Sequence, residues 1–190
     1  MNKVPLELMD ISDIFIETAH TIKREGIDNL VKWLYNNTDF FTAPASTRYH
    51  GAESGGLLRH SLQVYYNIIR LAPGLDTDSL KIVSLFHDIC KANFYKASTR
   101  NVKNEQTGKW EQVPCYTISE EFPFGAHGGK SVYLLTKYIT LQDDEAAAIN
   151  CHMGGWDYTT YHNPGGAYEK YPIAVYLHLA DMLATYITKC

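Results

Sequence analysis

Apolar side chains recur at three-to-four-residue spacing over most of the chain, the signature of amphipathic helices. Residues 7–20 bring Leu8, Ile11 and Phe15 to one face, and residues 27–36, IDNLVKWLYN, repeat the pattern. A polar, turn-rich run follows, NTDFFTAPASTRYHGAESGG, with Pro and Gly as breakers. Further helices are expected over about residues 57–71, stopped by APG, and 77–89, with Asp76 or Thr77 as N-cap. Residues 93–122 change character: β-prone residues flank NEQTGK, which predicts a β-hairpin inserted in a helical domain. After FPFGAHGG the helical pattern resumes to about Ile139, and it returns briefly in DDEAAAINCHM before Gly154-Gly155. A loop, WDYTTYHNPGGAYEKY, leads to a last helix over about residues 172–188, with Pro172 in its first turn. The expected fold class is mostly α: a helical bundle with a hairpin at about residues 93–122. Residues 1–190 are expected to form one domain, with the helices of residues 1–44 packing on the core of residues 45–188.

Composition narrows the class. At 45% hydrophobic and 20% charged residues, the chain has the make-up of a soluble globular protein. No apolar run approaches the ~18 residues of a membrane span. The N-terminal MNKVPLELMDISDIF carries acids where a signal peptide needs an uninterrupted apolar stretch, so a cytoplasmic protein is expected. Cys90, Cys115, Cys151 and Cys190 are scattered without CxxC pairing, which argues against a zinc ribbon and a disulfide framework. A net charge of −4 gives no global attraction for nucleic acid, so nucleic acid is a possible but not a favoured partner.

The chemistry lies in ionisable residues on the apolar faces. His60 lies three residues after Leu57 and four before Val64, so it points inward. His87 follows Val83 by four, His152 follows Ile149 by three, and Asp181 follows Leu177 by four. His127 opens a helix whose inner face continues through Ser131, Leu135 and Tyr138. Asp88 stands beside His87 at the end of an apolar run. One such histidine alone is usually a hydrogen-bonded core residue. Six metal-capable residues on five helices are hard to satisfy pairwise, with Lys91 the one obvious nearby cation. A shared metal centre satisfies them together, because imidazole and carboxylate ligate zinc, iron and manganese. Adjacent helical residues diverge by about 100°. His87 and Asp88 would therefore reach one ion best where the helix ends or bends.

His60 in GGLLRHSL, the His87-Asp88 doublet in LFHDICK and Asp181 in HLADML together resemble the HD superfamily of metal-dependent phosphohydrolases. The stretch RYHGAESGGLLRHSLQV is similar to the segment preceding the first helix of the HD domain in bacterial 3′→5′ exoribonucleases. The resemblance covers residues 45–188 and implies an HD-domain helical bundle. It further implies a first ion held by His60, His87, Asp88 and Asp181. Asp88 would bridge to a second ion on His127, in GAHGGKS, and His152, in NCHMGGWD. Where the cyclic-dinucleotide branch carries a Gly-Tyr-Pro signature, this chain has GGWDYTTYHNPGG.

The implied activity is hydrolysis of a phosphoester by a metal-activated water, with one or two divalent ions drawn from Mn, Fe, Zn or Ni. The expected partner is a small phosphorylated substrate, a nucleotide or short oligonucleotide. Lys91, one turn after His87, is expected to hold a phosphate as a point charge. Lys130 is expected to do the same at a helix N-terminus made approachable by Gly128 and Gly129. Asp88, Lys91 and Lys130 are thus the candidate catalytic residues. Weaker candidates are Arg48 and His50 at the pocket mouth, His178 behind the ligands, and Trp156, Tyr158 and Tyr161 as base-stacking groups. Asp157 is a candidate cap, and His20 and His162 are assigned to surface or packing. Two alternatives remain open: an HD-fold module that binds metal and nucleotide without turnover, and a nuclease module acting with a partner.

Overall fold

The computed structural model describes residues 6–156 and 164–189, with side chains from residue 10 onward. Asp157, Tyr158, Tyr161, His162 and Cys190 lie outside the described residues. The helices are α1 (Leu6–His20), α2 (Ile27–Asn37), α3 (Gly56–Leu71) and α4 (Thr77–Phe86), then α5 (His127–Thr136), α6 (Asp143–Cys151), α7 (Gly165–Lys170) and α8 (Pro172–Met182). Strands β1 (Tyr95–Lys103) and β2 (Trp110–Ile118) separate α4 from α5. This is the expected mostly α fold with an inserted hairpin.

Burial follows the sequence periodicity. In α2 the buried residues are Ile27, Leu30, Val31 and Leu34, one stripe at helical spacing. Phe15 of α1 contacts Phe40, Phe41 and Phe86 at ring-centroid distances of 5.2, 5.6 and 5.7 Å, so the N-terminal helix packs on the same core as α4. α4 starts at its N-cap: the Asp76 carboxylate accepts the Ser79 N–H at 2.9 Å. α3 packs between α4 and α8. Asn67, buried on α3, donates to the Ala180 carbonyl at 3.0 Å and fixes how α3 lies on α8.

The hairpin is antiparallel, with Tyr95 opposite Ile118 and Lys103 opposite Trp110. Its turn forms because the Asn104 side-chain oxygen accepts the N–H groups of Gln106 and Thr107, and Gly108 takes φ 70°. Pro114 is tolerated because a two-stranded sheet leaves one side of each strand unpaired.

Three boundaries differ from expectation. α4 stops at Phe86, and a 3-10 turn over Ile89–Lys91 follows. α5 ends at Thr136 rather than near Ile139. The final helix changes to a π-helical turn over Leu183–Thr188, and α7 occupies part of the expected loop. No described helix is long and apolar enough to cross a membrane.

Candidate metal centre

Helix ends build the site. His87 is the C-cap of α4 and still has helical angles, φ −55° and ψ −36°. Asp88 then turns to φ −103° and ψ 18°, in the bridge region. This break lets neighbouring side chains aim at one point: His87 Nε2 lies 3.4 Å from Asp88 Oδ2. His152 occupies the equivalent position at the end of α6. The last carbonyls of a helix lack intrahelical partners. Ser84 O meets His87 Nδ1 at 2.9 Å, and Ile149 O meets His152 Nδ1 at 2.6 Å. A carbonyl only accepts, so both Nδ1 atoms carry the proton, and each ring in its neutral form presents a lone pair at Nε2.

The other groups converge on Asp88. His60 Nε2, from the second turn of α3, lies 3.1 Å from Asp181 Oδ1 and 3.7 Å from Asp88 Oδ2. His127 Nε2 and His152 Nε2 each lie 3.5 Å from Asp88 Oδ1. The imidazoles form a continuous row, with centroid separations of 5.3 Å (His60–His87), 4.9 Å (His87–His152) and 6.4 Å (His127–His152). Gly128 makes the last pairing possible. A Cβ there would run into the carbonyls of Ile149 and Asn150, so only glycine lets the start of α5 lie against the end of α6.

The cluster has the character of a cation site. Asp88 Oδ1, His87 Nε2 and His152 Nε2 are buried without a hydrogen-bond partner among the described residues, and each such atom costs about 1–3 kcal/mol. Three overlapping sets bring their ligand atoms within 4.8 Å of one another: His60, His87 and Asp88; His87, His152 and Asp181; Asp88, Cys90 and His127. Imidazoles and carboxylates are the donors that Mn, Fe, Zn and Ni accept, so these residues fit one or two divalent ions. Cys90 is the odd member, since burial pushes its thiol up to about 12 and keeps it neutral.

Electrostatics agrees. Burial pushes the Asp88 carboxyl up, but the Lys91 ammonium and His87 outweigh it and hold the group well below the usual carboxylate range. Lys91 Nζ lies 2.6 Å from Asp88 Oδ2; burial pulls its pKa down, and the Asp88 charge more than restores it. Burial drives His127 down to about 4, so it is neutral near pH 7, the ligating form.

A family model for the HD domain matches residues 57–186. The chain belongs to the HD domain family. HD domains are in general metal-dependent phosphohydrolases, and the matched span contains His60, His87, Asp88, His127, His152 and Asp181. No curated protein and no solved structure matches the chain.

The six expected ligands thus lie together on the HD scaffold, with Lys91 beside them. Lys130 is placed differently. It is buried, its Nζ lies 2.8 Å from Glu120 Oε1 and 5.3 Å from the Phe94 ring centroid, and it does not line the cavity beside Asp88. In this structure its charge is paired with an acid and set against an aromatic wall. His50 moves the opposite way. Its ring lies 5.1 Å from His60 and lines that cavity with Lys91, His152, Trp156 and Asp181. Burial pushes it down to about 4. It sits in an irregular loop where periodicity carries no signal. His178 lines the same cavity and holds the end of α6: its Nδ1 lies 2.7 Å from the His152 carbonyl, and its ring fills the space a Cβ on Gly154 would need.

Sequence reasoning missed a second buried network. Glu145 accepts from Arg24 Nη1 and Nη2 at 2.9 and 2.8 Å, from Ser79 Oγ at 2.7 Å and from the Gln142 N–H at 2.8 Å. It ties the α1–α2 connection to α4 and α6. Its only sequence signal was the acidic start of α6, which reads as ordinary helix capping.

Proposed function

We propose that the protein is a metal-dependent phosphohydrolase acting on a phosphoester of a nucleotide or short oligonucleotide. The observation that carries this is the convergence of four imidazoles and two carboxylates at one point, with Asp88 Oδ1, His87 Nε2 and His152 Nε2 buried and making no hydrogen bond among the described residues. His60, His87, Asp88 and Asp181 are assigned to one ion and His127 and His152 to a second, with Asp88 shared. A bound divalent ion would supply Lewis-acid polarisation of the phosphoryl oxygens and make hydroxide available near neutral pH. Lys91, whose Nζ lies 2.6 Å from Asp88 Oδ2, would hold a non-bridging phosphoryl oxygen beside the ligand cluster. In the overall reaction water's oxygen bonds to phosphorus, the P–O bond to the leaving group breaks, and the leaving oxygen gains a proton. We assign Lys130 to holding Glu120 rather than to the phosphate.

The same reading takes residues 1–190 as one HD-type domain, with the N-terminal helices as part of its core; the Phe15–Phe86 contact supports this. It also takes the protein as cytoplasmic, in keeping with the free thiols of Cys90, Cys115 and Cys151. The test is a hydrolysis screen of the protein loaded separately with Mn, Fe, Zn or Ni. The panel holds bis(p-nitrophenyl) phosphate, nucleoside monophosphates and dinucleotides, each run beside Asp88→Asn. Turnover in wild type that disappears in Asp88→Asn is expected. Metal binding without turnover of any panel member would leave a binding module.

A further inference from the structure

We infer that the large groove next to the metal centre is a stacking site for an unpaired nucleobase. The favoured substrate class is then a single-stranded dinucleotide or longer oligonucleotide end, rather than a free phosphate or a small phosphosugar. The inference rests on the proposed phosphohydrolase reading, because the scissile phosphate is taken to lie at Asp88.

Two cavities meet at this face. The inner one, about 120 Å³, is lined by Asp88, Lys91, His152 and Asp181 and has room for a phosphoryl group but not for a nucleoside. The outer one, about 960 Å³, lies at the upper end of the range of ligand pockets. His50, Trp156, Thr185 and Tyr186 line both, so the two are continuous. Thr185 anchors the junction, with its Oγ1 3.3 Å from Asp181 Oδ1.

The outer walls are aromatic and open. Tyr49, Trp156 and Tyr186 are 74%, 59% and 56% exposed, although large aromatic residues usually bury their faces. Three exposed rings around one groove beside the candidate metal ligands provide π surfaces for bases, and stacking accepts any base. The charge pattern fits a short anionic chain. Lys189 lines the groove and the Arg48 guanidinium lies 5.8 Å from the Tyr49 ring centroid. The one acid in the lining, Glu53, is engaged by Arg59 at 3.1 Å.

The test uses the full chain and a dinucleotide carrying 2-aminopurine and a phosphorothioate linkage that resists hydrolysis. Stacking quenches 2-aminopurine, so titration reports base contact directly, with or without metal. The expected result is a quench that saturates in wild type and a Kd raised about 5- to 150-fold by Trp156→Ala or Tyr186→Ala. Trp110→Ala, exposed on the hairpin, should match wild type. Both ring variants alter exposed side chains, and circular dichroism checks that they fold. Equal Kd values in wild type and both variants, or no quench, would overturn the inference. If bis(p-nitrophenyl) phosphate is then still hydrolysed, the groove assignment fails and the phosphohydrolase reading stands. A quench lost in the ring variants, from a protein that hydrolyses nothing, keeps the groove and removes the reaction.

Discussion

Replacing Glu145 with alanine removes the centre of the buried network that ties three parts of the fold together. The carboxylate is fully buried and accepts four hydrogen bonds, two of them from the Arg24 guanidinium. Deleting one partner of a buried ion pair typically destabilises by about 3–5 kcal/mol. Arg24 keeps its bond to the Thr140 carbonyl at 2.6 Å, and its side chain remains 16% exposed, so water can reach it. The loss should therefore sit near the lower end, about 3 kcal/mol, or a fall in Tm of about 6–12 °C for a chain of this size. Glu145→Gln keeps the shape and one acceptor and should lose roughly half as much. Urea unfolding followed by far-ultraviolet circular dichroism measures both, with exposed Glu17→Ala as a control expected within about 0.5 kcal/mol of wild type. If Glu145→Ala also fell within 0.5 kcal/mol of wild type, the network would carry no stability and this reasoning would be wrong.

Other perturbations read other parts of the structure. Gly128→Ala pushes a methyl into the Ile149 and Asn150 carbonyls and should cost about 1–3 kcal/mol while lowering metal affinity; thermal melts and equilibrium dialysis check each. Lys91→Met should retain metal but lower kcat about 100-fold, as loss of one charged donor at a developing anion typically does; metal analysis alongside steady-state kinetics separates the two effects. Asp76→Ala should cost about 1 kcal/mol at pH 7 through loss of the α4 cap. Hydrogen bonding to Ser79 depresses the Asp76 carboxyl in the folded state, so its contribution is present above the unfolded pKa and is lost as pH falls through the lower folded value. Unfolding curves of wild type and variant should accordingly converge in acid.

Much of the fold was legible because periodicity reports which face of a helix is buried. The stripe of α2 and the inward direction of His60 both follow from three-to-four spacing. The candidate ligands were legible for a further reason: ionisable groups on apolar faces call for partners, and a shared cation can serve several at once. What stayed hidden depends on contacts far apart in sequence. The end of α4 at Phe86 goes with the turn of the backbone at Asp88, φ −103° and ψ 18°, which propensity does not signal. Lys130 was expected at the phosphate because its helix starts beside the site; its pairing with Glu120, ten residues earlier, carried no signal in the sequence. Arg24 and Glu145 are 121 residues apart, and neither stands out in its own segment. His50 lies in a loop held by the Ala45–Gly51 backbone bond, a geometry that no pattern of apolar residues announces.

The assignment of Asp88 and its five neighbours to a metal centre can be tested without knowing the substrate. Elemental analysis of protein purified without added metal, beside Asp88→Ala, reports metal per chain. One or two equivalents in wild type, falling sharply in the variant, is the predicted result, and two would support both ions. No metal in either protein, even after dialysis against manganese, iron or zinc, would contradict it and leave the histidine row as the core of a binding domain.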